Sequence, residues 1–179
     1  DGNDTDVLNK DCERIAEVME QFECGEILLA DSESQKNQIW KLRRAIAESV
    51  KSNSIYKEED TVVPRAELAK LLKGVKEIGE KYGFKSVCYG HAGDGNLHIN
   101  IIKGEMRDKD WNSKLDFGIR EIFQLTKSLG GTLSGEHGVG LVQKNFMDIV
   151  FSEKELELQK GIKQLFDPNG ILNPGKVFS

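Results

Sequence analysis

The stretch CYGHAGDGNLHINII, residues 88–102, carries the central reading of this chain. The runs Ser86–Tyr89 and Leu97–Ile102 suit strands. Asp94-Gly95 between them is a strong signal for a two-residue hairpin loop, because both central positions of a type I′ turn need φ > 0. With that loop Gly93 faces Asn96, Ala92 faces Leu97 and His91 faces His98. Directly opposed side chains share a sheet face, with Cβ atoms about 4.5–5.5 Å apart. Two of the chain's three histidines are therefore expected side by side.

Outward from the hairpin, the pattern is mixed. Asp4 or Thr5 can cap a helix with the apolar stripe Leu8, Ile15, Val18, Met19 and Phe22, stopped at Gly25. A short strand is expected over Glu26–Ala30. Ser32 or Ser34 then caps a helix bearing Ile39, Leu42, Ile46 and Val50. Residues 51–63 read as a polar, acidic loop. Pro64 suits a first helical turn, and Leu68, Leu71, Leu72, Val75 and Ile78 follow it as far as Gly83. After the hairpin, a helix from about Asn112 carries Leu115, Ile119, Ile122, Phe123 and Leu129. A short strand, Thr132–Ser134, and two closing helices complete the order. The α-β-β-α-β run from Pro64 to Ser134 resembles half of a ferredoxin-like sandwich. The expected class is α+β, a largely antiparallel sheet with helices packed mainly on one face. The opening DGNDTDVL reads like the exit from a strand that is missing, as in an excised domain.

With 179 residues the chain fits one domain. A net charge of −5 gives no reason to expect nucleic acid or an anionic membrane as partner. No apolar run approaches the ~20 residues of a transmembrane helix. The three cysteines are odd in number and lack CxxC spacing. That argues for a reducing, cytoplasmic setting and against a disulfide framework or thiolate zinc site. Cys88, in a strand pattern, reads as packing.

The third histidine lies in GGTLSGEHGVG, where five glycines bracket Glu136 and His137. Glycine density permits close backbone approach and is poor core material. Two histidines and a glutamate form the ligand set of catalytic zinc sites that keep an open position. His91, His98 and Glu136 are thus candidate ligands of a divalent metal. His137, expected to point elsewhere in extended backbone, stays free as a general base at neutral pH. Plainer readings accompany these. Asp94 is explained by turn geometry, not ligation. Arg43-Arg44 is by default a solvated helix face, although Arg43 could reach over the sheet. Trp40 reads as core, and Glu58-Glu59-Asp60 as a solvated loop. A self-contained metallohydrolase and a non-catalytic binding module remain alternatives at this level.

GHAGDGNLHIN, SGEHGVG and FDPNGILNPGKVF, in this order and preceded by WKLRRAIAES, resemble the C-terminal region of FAD-linked 2-hydroxy acid oxidoreductases of the vanillyl-alcohol-oxidase type. That group includes D-lactate dehydrogenases, the FAD subunit of glycolate oxidase and D-2-hydroxyglutarate dehydrogenase. The resemblance implies that residues 1–179 are a cap or substrate domain whose FAD-binding domain and first cap strand lie outside the chain. It implies metal ligation by His91, His98 and Glu136, and a catalytic base in His137. It also implies substrate contacts from Asn100 and Arg43, the latter to a carboxylate, and a place near the flavin for Asn173 and Lys176. The implied reaction oxidises D-lactate, glycolate or D-2-hydroxyglutarate, with zinc as the metal. Two positions bear on a dicarboxylate substrate. The family's 2-hydroxyglutarate members carry a threonine one turn after the arginine, where this chain has Ala47, and a lysine in the following loop, which Lys57 would match only across a loop of different length. Both departures weaken the case for a dicarboxylate substrate and leave lactate and glycolate on at least an equal footing.

Overall fold

The computed structural model describes residues 2–178. The chain divides into two compact units, residues 1–46 and 47–179. The first holds helix α1 (Thr5–Met19) and most of helix α2 (Glu33–Ser52). Asp4 caps α1, accepting the backbone N–H of Asp6 at 2.9 Å and Val7 at 3.2 Å. Ser32 caps α2 by accepting from the Gln35 N–H at 3.3 Å. Both expected caps form, but no residue of either helix is buried. Trp40, expected in the core, is half exposed. Residues 26–30 form no strand. A strand needs a neighbouring edge to take its N–H and C=O groups, and within this unit there is none among the described residues.

The second unit contains a three-stranded antiparallel sheet in the order β1-β3-β2, built from β1 (Tyr56–Val62), β2 (Lys85–His91) and β3 (Asn96–Ile102). Helices α3 (Leu68–Tyr82) and α4 (Asp108–Ser128) pack together, α3 against β2 and α4 against β1. Gly83 closes α3 at φ 82°, the left-handed stop its position implies. The short helix α5 (Met147–Val150) and α6 (Glu153–Phe166) close the chain. The class is α+β.

Strand β3 shows why the sheet has two different faces. Its side chains alternate, so Leu97, Ile99 and Ile101 point one way and Asn96, His98 and Asn100 the other. The apolar set packs with Leu71, Val75, Ile119, Ile122 and Phe123, all fully buried. Each such side chain contributes about 1.5–3 kcal/mol. This helix-covered face therefore carries the core, and the opposite face can hold polar groups.

Three expected element boundaries in this unit need correction. Residues 56–62 are a paired edge strand, not a solvated loop, and Glu59 and Asp60 are buried to 0% and 1% exposure. The strand is polar on both faces, so it shows no apolar alternation; pairing with β3 and partners for its charges put it inside. Residues 132–134 do not form a strand; their backbone meets β1 in the Val62–Thr132 bridge, and the Ser134 hydroxyl donates to Asp60 Oδ2 at 3.4 Å. Helix α4 begins at Asp108, a turn before Asn112.

Candidate functional site

The hairpin loop has four residues, not two. His91 pairs with Asn96, Gly90 with Leu97, and Tyr89 with His98. Two successive turns, Asp94 N–H to His91 O at 3.0 Å and Gly95 N–H to Ala92 O at 3.3 Å, replace the expected type I′ turn. Gly95 alone of the central pair has positive φ, at 74°. Its backbone lies against the end of β1: the Val63 N–H donates to the Gly95 carbonyl at 3.0 Å, and a Cβ at Gly95 would stand 1.9 Å from the Val63 carbonyl oxygen. The longer loop shifts the register by two residues. Two is the side-chain period of a strand, so His91 and His98 become diagonal neighbours yet stay on one face, ring centroids 5.9 Å apart.

That face carries Tyr89 and His91 from β2, Asn96, His98 and Asn100 from β3, and Glu58 and Asp60 from β1, by the ladder pairings. Glu136 reaches in from the glycine loop. One of its carboxylate oxygens stands 3.1 Å from His98 Nε2 and 3.5 Å from His91 Nε2. The candidate ligand atoms of His91, His98 and Glu136 lie within 4.8 Å of one another. A cleft of about 390 Å³ opens beside them, lined by Val62, His91, Asp94, Asn96, Gly135 and Glu136. Asp94 lines this cleft but belongs to no metal-sized cluster among the described residues.

His137 does not turn away as extended backbone would require. Its ring stacks on His98, centroids 4.9 Å apart and planes 17° apart. The cause is Asp60. One oxygen, Oδ2, accepts the backbone N–H of Gly135, Glu136 and His137 at 2.9, 2.7 and 2.8 Å. Three successive N–H groups converging on one anion make a curled nest, and the curl sends Glu136 and His137 to the same neighbour. Gly135 permits the approach, since a Cβ there would lie 2.2 Å from Asn96 Nδ2. The other oxygen, Oδ1, accepts from Asn96 Nδ2 at 2.6 Å and lies 3.6 Å from His98 Nδ1. Burial pushes the Asp60 carboxyl upward, but the hydrogen bonds from His137, Glu136 and Asn96 outweigh it and hold the group below the usual carboxylate range.

Asp60 is thus the residue that sequence reasoning missed, along with Glu58 and Tyr89. The available signal was the polar period of two in Asn96-x-His98-x-Asn100, which marks a sheet face with a use for polar groups. Glu59 points to the helix side. There its carboxylate accepts from Gln143 Nε2 at 3.0 Å and pairs with Lys57 at 3.3 Å. Burial raises its pKa. Lys57 stands opposite Ile101 and so faces away from the histidines.

Several buried polar atoms on the site face make no hydrogen bond among the described residues: Tyr89 Oη, Asn96 Oδ1, His98 Nδ1 and both amide atoms of Asn100. Buried polar atoms are seldom left unpaired, so these atoms are available to a polar ligand. Two imidazoles and a carboxylate with converging donor atoms also match the donor set of a zinc-type cation.

The remaining sequence candidates lie elsewhere in the chain. Arg43 is in the first unit, on an exposed stretch of α2, its guanidinium 5.9 Å from the Trp40 ring. Asn173 and Lys176 form an exposed turn, Lys176 Nζ donating to Asn173 Oδ1 at 2.9 Å. The tail is tied to the far end of the glycine loop by the Val177 N–H to Gly140 O bond, 2.7 Å.

Residues 1–177 match the family described as FAD linked oxidases, C-terminal domain. The chain belongs to that family. Curated relatives of this FAD-linked oxidase C-terminal domain include a D-lactate dehydrogenase of Anaerostipes hadrus, 31% identical over 99% of this chain and 38% of that protein. A D-2-hydroxyglutarate dehydrogenase of Stutzerimonas stutzeri is 39% identical over 85% of this chain and 33% of that protein. Glycolate oxidase subunit GlcD of Bacillus subtilis is 32% identical over 97% and 37%. The domain spans 33–38% of the length of these relatives.

Proposed function

We propose that this chain is the substrate- and metal-binding part of an FAD-dependent dehydrogenase that oxidises a D-2-hydroxy acid to the 2-oxo acid. D-lactate, glycolate and D-2-hydroxyglutarate are the candidate substrates. The observation that carries the reading is the approach of His91 and His98 to one oxygen of Glu136, with His137 stacked alongside. The names of the relatives support its 2-hydroxy acid part.

In this reading His91, His98 and Glu136 would hold a divalent cation, zinc by the donor set, which when bound would supply Lewis acidity toward the substrate. FAD, bound mainly by a part of the protein outside this chain, supplies the hydride acceptor. His137 takes the hydroxyl proton at a ring nitrogen. Asn100, buried with a free donor and a free acceptor, hydrogen-bonds the substrate. Arg43 is assigned to the substrate carboxylate for its planar, bidentate fork. Asn173 and Lys176 are assigned to the flavin side. The described residues include no helix long and apolar enough to cross a membrane, and the free cysteines accord with a cytoplasmic setting.

The test is dye-coupled oxidation of the three acids by the full-length protein, with metal analysis of each preparation. Oxidation that disappears on chelation and returns with zinc is expected. The present chain alone should bind the metal and oxidise nothing. Hydrolytic activity of the chain without flavin, or a full-length protein that binds no metal, would overturn the reading.

A further inference from the structure

Glu58 is an acidic side chain on the site face that the proposed chemistry does not use. In the ladder it stands opposite Asn100, two residues before Asp60, which stands opposite His98. One of its carboxylate oxygens lies within 4.8 Å of a ring nitrogen of both His98 and His137. The side chain is 19% exposed and pairs with Lys51 at 3.1 Å, whose side chain is 41% exposed. The charge pair is therefore asymmetric: its negative member sits deeper, beside the imidazoles, while its positive member sits nearer water, where solvent and salt screen it more.

We propose that Glu58, backed by Lys51, sets the substrate class of this site as 2-hydroxy monocarboxylates. The inference rests on the 2-hydroxy acid reading above and sharpens it. The triad of His91, His98 and Glu136 and the nest at Asp60 occupy one end of the site face. From His98 the row continues along β3 to Asn100, whose amide is buried and unpartnered, with Glu58 beside it. A substrate whose hydroxyl meets His137 has this polar ground for its remaining substituent. A hydrogen or methyl group brings no charge there, whereas a second carboxylate meets the carboxylate of Glu58. Like charges set against each other at a desolvated contact are strongly unfavourable. Lys57 cannot offset this, because it faces the helices and pairs with Glu59.

The experiment compares kcat/KM for D-lactate and D-2-hydroxyglutarate in the full-length protein carrying this chain, as wild type, Glu58→Gln and Lys51→Gln, with zinc content measured for each. The wild type should favour lactate. Glu58→Gln, which keeps the shape and leaves Lys51 free, should move the ratio toward the dicarboxylate by on the order of tenfold, mainly through KM. Lys51→Gln should move it the other way, and both shifts should shrink in high salt. A wild type that prefers the dicarboxylate, or a ratio that Glu58→Gln leaves unmoved, overturns the assignment. A metal-loaded wild type that oxidises no 2-hydroxy acid overturns the functional reading, and this assignment with it. An active enzyme with an unmoved ratio overturns the assignment alone.

Discussion

Asp60 accepts the backbone N–H of His137 at 2.8 Å while its other oxygen lies 3.6 Å from His98 Nδ1. One carboxylate therefore bends the glycine loop and backs a candidate metal ligand from behind. Asp60→Asn keeps the volume but removes the charge that three N–H groups point toward. Groups that orient metal ligands commonly govern about 10–100-fold in metal affinity. A loss of that size, read by competition with a chelator, is expected in Asp60→Asn, with far-UV circular dichroism unchanged. Unaltered affinity would leave Asp60 a purely structural anchor.

His91→Ala and His137→Asn should separate holding the metal from using it. The first removes one of three donors and should lose metal and activity together. The second should retain the metal and lower kcat by the ~10²–10⁴-fold typical of a missing general base. Zinc analysis beside dye reduction distinguishes them. A His137→Asn protein as metal-poor as His91→Ala would make His137 a ligand, through the ring nitrogen that lies within 4.8 Å of candidate ligand atoms of His98 and Glu58.

Glu59 gives a prediction about pH. Burial raises its pKa in the folded chain, with Lys57 and Gln143 offsetting only part. A carboxyl raised on folding favours the folded state least when ionised, so its contribution becomes unfavourable as pH rises from the unfolded value, about 4.3, through the folded one. Glu59→Gln has no such titration. The stability of the variant relative to wild type should increase across that window and level off above it. Chemical denaturation at several pH values between acid and neutral measures this, and a difference independent of pH would refute it.

Gly95→Ala should destabilise the second unit. The position has φ 74°, which costs a non-glycine residue about 1–2 kcal/mol, and the new Cβ would meet the Val63 carbonyl at 1.9 Å. A thermal midpoint several degrees below wild type is expected. The effect should exceed that of Gly93→Ala, where a Cβ meets nothing within 4 Å.

The sequence by itself determined the helices α3 and α4, the hairpin's two strands and the division of β3 into an apolar and a polar face. Each of these rests on local periodicity or on a stop residue such as Gly83. It also determined that His91 and His98 share a face, because the true register differs from the expected one by two residues, a full side-chain period. Only the tertiary structure decided the loop length, since Asp94-Gly95 satisfies two different turns and the choice depends on the approach of Gly95 to Val63. Only it could turn Glu58-Glu59-Asp60 from a charged run into a buried edge strand. A strand that is polar on both faces has no periodic signal, and its burial depends on partners distant in the chain: Asn96, the Gly135–His137 backbone, Gln143 and the β3 edge. The same dependence explains His137. Neighbouring side chains diverge in extended backbone, and no local feature reveals that a carboxylate 77 residues away curls the loop so that Glu136 and His137 both meet His98.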